Sequence, residues 1–353
     1  ARLETEKYKK EQAEKSVQIT FHADRKLDYD QQKLYCGGYL FLQYIYYGLQ
    51  LDKTCRKIRD KYDFKFDINA ILSDLVYNRV LEPTSKRSAF KMAQDFLEPP
   101  TYELHDVYRA LSILAKESDL IQTDCYKNSS FLYNRDSRIL YYDCSNFYFE
   151  IEQENGKKKY GKSKEHRPNP IVQMGLLMDE QGIPISIEVF PGNTLDHLTM
   201  QKSFNNSVDF IKDKNNRYIF VSDKGIGRGG NPKFSIENGN GYLVSKSVRG
   251  STKAEKKWII SDEDFVYNTD DFKIKTKTYT KNYTLENGTE LKSSEKIVSY
   301  WSKKFYTKEY EEQKSFYDTL RQIIENPESF PSNRLNNSKI KKYLKKQQNE
   351  CNI

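Results

Sequence analysis

Three kinds of apolar patterning follow one another along the chain. Residues 1–30 are polar and charged, with VQITF at 17–21 as a short alternating run, and read as an N-terminal arm. From 31 to 135 apolar residues recur at spacings of three and four, in QQKLYCGGYLFLQYIYYGLQ, DKTCRKIRDKYDF, DINAILSDLVYNRVL, SKRSAFKMAQDFL and ELHDVYRALSILAKESDLI. That period predicts a domain of about five amphipathic helices, interrupted at Glu82-Pro83 and Pro99-Pro100. Asp67 and Ser85 stand where N-caps belong.

Near residue 138 the period shortens to two. RILYYDCSNFYFE (138–150), PIVQMGLLMD (170–179) and PISIEVFPG (184–192) read as strands, the last two joined by the turn EQG at 180–182. DHLTMQKSFNNSVDFIKD (196–213) is a helix and RYIFVSD (217–223) a short apolar strand. Three antiparallel strands and a helical crossover to a fourth predict a mixed sheet with helices packed on it. A Gly-rich loop, KGIGRGGN, follows Asp223. Next come GYLVSKSVRG, KKWIIS, FVYN, FKIKTKTYT and KNYTLENGTELK, short basic segments that read as a small β subdomain. A helical pattern returns at 303–326 before the lysine-rich tail SNRLNNSKIKKYLKKQQNECNI. The fold class is therefore α+β and multidomain. Its expected parts are an arm (1–30), a helical domain (31–135), the mixed-sheet core (136–240), an inserted β subdomain (241–300) and a C-terminal helix with a basic tail (301–353).

Charge and cysteine content narrow the partners. The 353 residues carry 58 Lys plus Arg against 50 Asp plus Glu, a net charge of +8 that favours an anionic partner over a cationic one. The 27 Tyr and 19 Phe are core material first and stacking surface for bases second. Cys36, Cys55, Cys125, Cys144 and Cys351 are odd in number and lack CxxC spacing, which argues against a disulfide framework and a zinc site. A reducing cytoplasm fits that usage. No run approaches the ~18 apolar residues of a membrane span, so no membrane partner is expected.

The chemistry centres on two acids. In a strand over 138–150, Ile139, Tyr141, Asp143, Ser145 and Phe147 share one face. Asp143 there competes with apolar neighbours for a buried surface, and a buried carboxylate needs a cation, a donor network or a solvent cleft. Asp223 ends an apolar strand directly before the Gly-rich loop, a place where open α/β sheets put their sites. Read alone, Asp223 is a turn former or helix cap. As a pair in one sheet, the two could hold a divalent metal. Lys162, Lys164, His166 and Arg167 form a basic loop beside the first strand, and Lys224 and Arg228 flank Asp223. All are candidates for phosphate contact or for a solvated surface. Asn193 and Thr194 read as caps of the helix that follows. DKTCRKIRDKY in the helical domain carries a faint helix-turn-helix hint, which makes that domain a candidate for DNA binding.

The stretches YYDCSNFYFE, GKSKEHRPNP, IVQMGLLMDEQGIPISIEVFPGNTLDHLT and IFVSDKGIGRGGN, in that order, resemble the catalytic core of bacterial insertion-sequence transposases of the DDE class. ILSDLVYNRVLEPTSKRSAF (71–90) resembles the helical region upstream of that core. The resemblance implies a ribonuclease H-like fold with a β insertion between the second and third acids. Asp143 and Asp223 would be the first two catalytic, metal-binding acids, with Mg²⁺ or Mn²⁺ the sole cofactor. The implied partners are DNA, both terminal inverted repeats and target, and a second copy of the chain on that DNA in the bacterial nucleoid. The implied activity is strand cleavage at transposon ends and transfer of the freed 3′-hydroxyls to target DNA.

One part of the family pattern is absent. Its third acid is a Glu on a helix after the β insertion, within a spaced set of Tyr, Arg, Glu and Lys, and no such set occurs before Ile353. Glu309, Glu311 and Glu312 lie on a helical run without an Arg at the required offset and read as solvated charges. The expectation is a chain that stops before its third catalytic residue. The alternative is a catalytically inactive DNA-binding remnant that occupies element ends, and a third reading is an unrelated ribonuclease H-like nuclease.

Overall fold

A computed structural model describes residues 34–353 apart from 133, 212–216, 228–229, 286–287, 327–339 and 342–353. The arm at 1–30 and nearly all of the basic tail lie outside the described residues. Contacts divide the chain into two compact units, Ala1–Ser245 and Lys246–Ile353.

In the first unit the 3.6-residue period produces six helices: α1 (Tyr39–Gly48), α2 (Leu51–Arg59), α3 (Ile68–Leu81), α4 (Lys86–Ala93), α5 (Leu104–Lys116) and α6 (Ser118–Leu132). Local chemistry sets their starts. Asp67 caps α3 by accepting from the backbone N–H of Asn69 at 2.9 Å and of Ala70 at 3.1 Å. Ser85 caps α4 by accepting from Ser88 N–H at 3.1 Å, and Glu103 with Asp106 forms a capping box on α5. Two apolar clusters hold the bundle. One gathers Cys55, Ile58, Ile68, Ile71, Val107 and Ala110, and the other Tyr39, Tyr46, Tyr77 and Phe96. Tyr39 stacks on Phe96 with ring centroids 4.4 Å apart.

The alternating segment folds as β1 (Ile139–Tyr148), β2 (Ile171–Met178) and β3 (Pro184–Pro191). After the helix α7 (Met200–Ile211) come β4 (Ile219–Ser222), α8 (Asn231–Glu237) and β5 (Gly241–Val244). The sheet order is β3-β2-β1-β4-β5, antiparallel among the first three strands and parallel from β1 through β4 to β5. This is the mixed sheet with helices packed on it that the strand-helix order predicts, in a chain of the α+β class. One face carries the core: Leu140, Tyr142, Cys144, Leu177 and Phe220 pack against Met200 and Phe204 of α7, with Tyr126 of α6 and Phe234 of α8 beside them. Burying each such large apolar side chain contributes about 1.5–3 kcal/mol. Gly175 is required there, because a Cβ on it would lie 2.1 Å from the Tyr142 hydroxyl. That hydroxyl donates to Thr199 Oγ1 at 2.8 Å and lies 3.1 Å from Ser203 Oγ, tying β1 to the start of α7. Asp179, at the end of β2, is fully buried against Arg135 and accepts the Ile183 N–H at 2.8 Å, which fixes the β2–β3 turn.

The second unit pairs the helix α9 (Lys253–Ile260) with a sheet of β6 (Phe265–Asn268), β7 (Phe272–Thr284) and β8 (Glu290–Ser302), followed by the helix α10 (Lys303–Glu325). β7 and β8 form an uninterrupted antiparallel hairpin from Phe272↔Ser302 to Thr284↔Glu290. The buried Lys275 ammonium donates to the carbonyls of Trp258 and Ser261, neutralising the carboxyl end of α9.

Three readings need correction. GYLV belongs to the main sheet as β5, because Gly241–Val244 finds a parallel partner in β4. KKWIIS is helical, because Thr252 and Glu255 form a capping box that starts α9. Asn193 and Thr194 lie too early to cap: the turn Asp196–Leu198 starts from Leu195 without a side-chain cap, and the Thr194 carbonyl accepts from Gln173 Nε2 at 2.7 Å. Between the Gly-rich loop and GYLV, NPKFSIE forms α8 with its proline in the first turn.

Candidate functional site

Strand register brings Asp143 and Asp223 to one end of the sheet. The parallel β1–β4 ladder runs Ile139↔Ile219, Leu140↔Phe220, Tyr141↔Val221 and Tyr142↔Ser222, and each acid follows its last pair in the chain. Neighbouring strands lie about 4.8 Å apart, and residues paired across a parallel ladder project from the same face. Both acids therefore stand just past the last paired step of that ladder, at the carboxyl end of β4.

Asp143 lies on the open face of β1, so of the cation, donor network or solvent cleft that its apolar neighbours called for, the structure supplies solvent. Leu140, Tyr142 and Cys144 are the buried side of β1, while Asp143, Ser145 and Phe147 on the other side are exposed. The Asp143 side chain is 64% exposed, so water offsets the desolvation that a core position would impose. Each carboxylate uses one oxygen locally. Asp143 Oδ1 accepts the Cys144 N–H at 2.8 Å and Asp223 Oδ1 accepts the Ile226 N–H at 2.9 Å. The loop after Asp223 turns back tightly, with Gly227 N–H donating to the Asp223 carbonyl at 2.9 Å.

The basic loop lies against the outer half of β1. Asn146 clasps it from both sides: its Oδ1 accepts the Lys164 N–H at 3.2 Å and its Nδ2 donates to the Lys162 carbonyl at 3.3 Å. Lys164 Nζ donates to the Cys144 carbonyl and stands 3.9 Å from Asp143 Oδ2. Arg167 is farther along the strand, with its guanidinium 4.9 Å above the Tyr148 ring and its Nε 3.8 Å from Glu165. Lys162 and Lys224 are exposed, Lys224 directly beside Asp223. Arg228 lies outside the described residues. Glu309, Glu311 and Glu312 are exposed on α10 in the second unit, with Glu312 3.8 Å from Lys308.

Two supporting features had no signal in the sequence. Asn146, which aims the basic loop, sits in an ordinary strand pattern. Asn231, buried at the start of α8, donates to the carbonyls of Ile226 at 2.7 Å and His197 at 2.9 Å and so anchors the loop that follows Asp223. Beneath the site the Cys144 thiol is pushed up from its ordinary value by burial, with Thr199 and Tyr142 opposing through hydrogen bonds. It stays protonated and inert.

Among the described residues, no group of three or more His, Cys, Asp or Glu side chains comes together as metal ligands. Two solvent-facing carboxylates at one end of a ladder still fit a hard divalent cation such as Mg²⁺ or Mn²⁺, which is held by one or two carboxylates with phosphate oxygens and water completing the shell.

No family model and no curated protein matches the chain in sequence. Among solved structures, the piggyBac transposase synaptic complex with hairpin DNA is similar at 10% identity and a TM-score of 0.35, over 76% of this chain and 63% of that one. A Mos1 transposase paired-end complex with the left transposon end is similar at 15% identity and a TM-score of 0.22, over 56% of this chain and 72% of that one. The Mos1 paired-end complex with Mg matches at 14% identity and a TM-score of 0.21, over 53% of this chain and 61% of that one. Scores this low carry no functional weight, and the reading of the site rests on its own geometry.

Proposed function

We propose that this chain is a DNA transposase of the DDE type, cutting DNA strands at the ends of an insertion sequence and transferring them with the help of Mg²⁺ or Mn²⁺. The observation that carries this reading is the pair Asp143 and Asp223, both exposed and both just past the last paired step of the parallel β1–β4 ladder, with a tethered lysine loop beside Asp143. A divalent ion between them would polarise a phosphodiester and activate the attacking oxygen. The chain's own part is to hold that ion through the two carboxylates and to orient the DNA backbone. Lys162, Lys164 and Lys224 offer ammonium groups to phosphates around the acids. Arg167, stacked on Tyr148, would contact the backbone farther along β1. Two copies acting on the two ends of an element complete the proposal.

One observation favours a second reading, a protein that occupies element ends without cutting them. No group of three ligating side chains forms among the described residues, and a two-ion site with a missing carboxylate ligand should cleave poorly. The experiment is a titration of Mn²⁺ into the protein and its Asp143→Asn and Asp223→Asn variants, followed by a cleavage assay on a labelled element end. Both variants should bind Mn²⁺ more weakly than the parent. Unchanged binding in both removes the metal reading, and cleavage by the parent chain removes the binding-only reading.

A further inference from the structure

Lys164 faces two ways, and that position has a consequence for the order in which the site fills. Its backbone is held to β1 by the 3.2 Å bond to Asn146 Oδ1, while its ammonium bonds the Cys144 carbonyl and lies 3.9 Å from Asp143 Oδ2. The turn behind it is tight. His166 N–H donates to the Ser163 carbonyl at 3.2 Å with His166 at a φ of 57°, and Ser163 is buried. The ammonium is thus aimed at the oxygen of Asp143 that is free of the Cys144 N–H. The side chain is also 54% exposed, so it can swing to solvent without unpacking anything.

We propose that Lys164 couples nucleic-acid binding to metal binding at Asp143, an inference that rests on the carboxylate pair being a metal site. In the free protein the ammonium occupies the electrostatic position a divalent cation would need and opposes its entry. A phosphate of the DNA backbone competes for the same ammonium with a charge-assisted hydrogen bond, stronger than the single bond to a neutral carbonyl. Moving Lys164 onto phosphate removes the opposing charge and releases Asp143 Oδ2. Metal and DNA therefore bind with positive coupling, and by linkage each raises the other's affinity by the same factor. The other charges close by are Asp223 and Lys224 at the end of β4 and Lys162 on the same loop. The Arg167–Glu165 pair faces Tyr148 instead. A half-exposed pair at this distance gives a factor of about five, from roughly 1 kcal/mol of screened Coulomb energy converted at RT.

The test measures free Mn²⁺ by electron paramagnetic resonance with the full chain, alone and with a short DNA duplex at low salt, after subtracting Mn²⁺ bound by the duplex itself. Lys164→Met should bind Mn²⁺ about fivefold more tightly than the parent without DNA, and DNA should give it no further gain. Asn146→Ala, which frees the loop while keeping the lysine, should move in the same direction by less. The parent should gain in Mn²⁺ affinity when duplex is added. Equal or weaker Mn²⁺ binding by Lys164→Met without DNA overturns the coupling. If Asp143→Asn weakens Mn²⁺ binding while Lys164→Met changes nothing, the coupling fails and the metal site stands. If Asp143→Asn has no effect, both fail together.

Discussion

Asp74 on α3 is buried among apolar side chains and accepts a hydrogen bond from the Tyr102 hydroxyl at 2.8 Å. Burial raises its pKa from 3.8 to about 7, with Glu98 and Asp67 adding repulsion and the Tyr102 bond opposing. The folded chain therefore holds a proton on Asp74 that the unfolded chain releases near pH 4. Stability from this group is complete below the unfolded value and is lost as pH rises through about 4 to about 7. A shift of about three units corresponds to roughly 4 kcal/mol at most between those limits. Asp74→Asn keeps an acceptor for Tyr102 and removes the charge. Urea denaturation of parent and variant at pH 4, 6 and 8 isolates the effect, because other carboxylates cancel in the difference. The variant should be close to the parent at pH 4 and more stable by about 2–4 kcal/mol at pH 8. A difference independent of pH, or a variant less stable at pH 8, would show that burial does not raise the Asp74 pKa and refute the argument.

Three further outcomes follow from packing and charge. Gly175→Ala should destabilise the sheet by about 1–3 kcal/mol or more, since its Cβ would collide with the Tyr142 hydroxyl, and Tyr142→Phe in the same chain should recover part of the loss in thermal melts. Asp179→Asn should cost about 3–5 kcal/mol by leaving the Arg135 guanidinium buried without its anion, and an unchanged melting temperature would contradict that burial. If Lys162, Lys164, Arg167 and Lys224 meet phosphates, DNA affinity should fall with salt at a log–log slope of about −0.9 per contact, and Lys162→Ala should flatten the slope by about one contact. A slope unaffected by any of the four substitutions would place the DNA elsewhere.

Sequence alone determined the features that depend on neighbours within a few residues. The caps at Asp67 and Ser85, the helical period of 31–135, the strands around Asp143 and the crossover helix before Asp223 all follow from local hydrogen bonding and from where apolar side chains recur. The acidic residues worth attention could be named the same way, because a charge inside or ending an apolar strand is visible in one dimension. Tertiary structure decided everything that depends on pairing between distant segments. Which side of β1 is buried is set by the packing of α7, and a strand's alternation is symmetric until a neighbour covers one face. That is why the pattern alone left Asp143 a choice of a cation, a donor network or a solvent cleft, and only the packing shows that it stands in water. That Asp143 and Asp223, eighty residues apart in the chain, both follow the last pair of the β1–β4 ladder is a matter of register, which no local pattern encodes. GYLV and KKWII show the same limit from the other side. One became a strand of the main sheet because β4 offered a parallel edge, and the other a helix because Thr252 and Glu255 capped it. Short apolar runs are compatible with either state, and the partner they meet makes the choice.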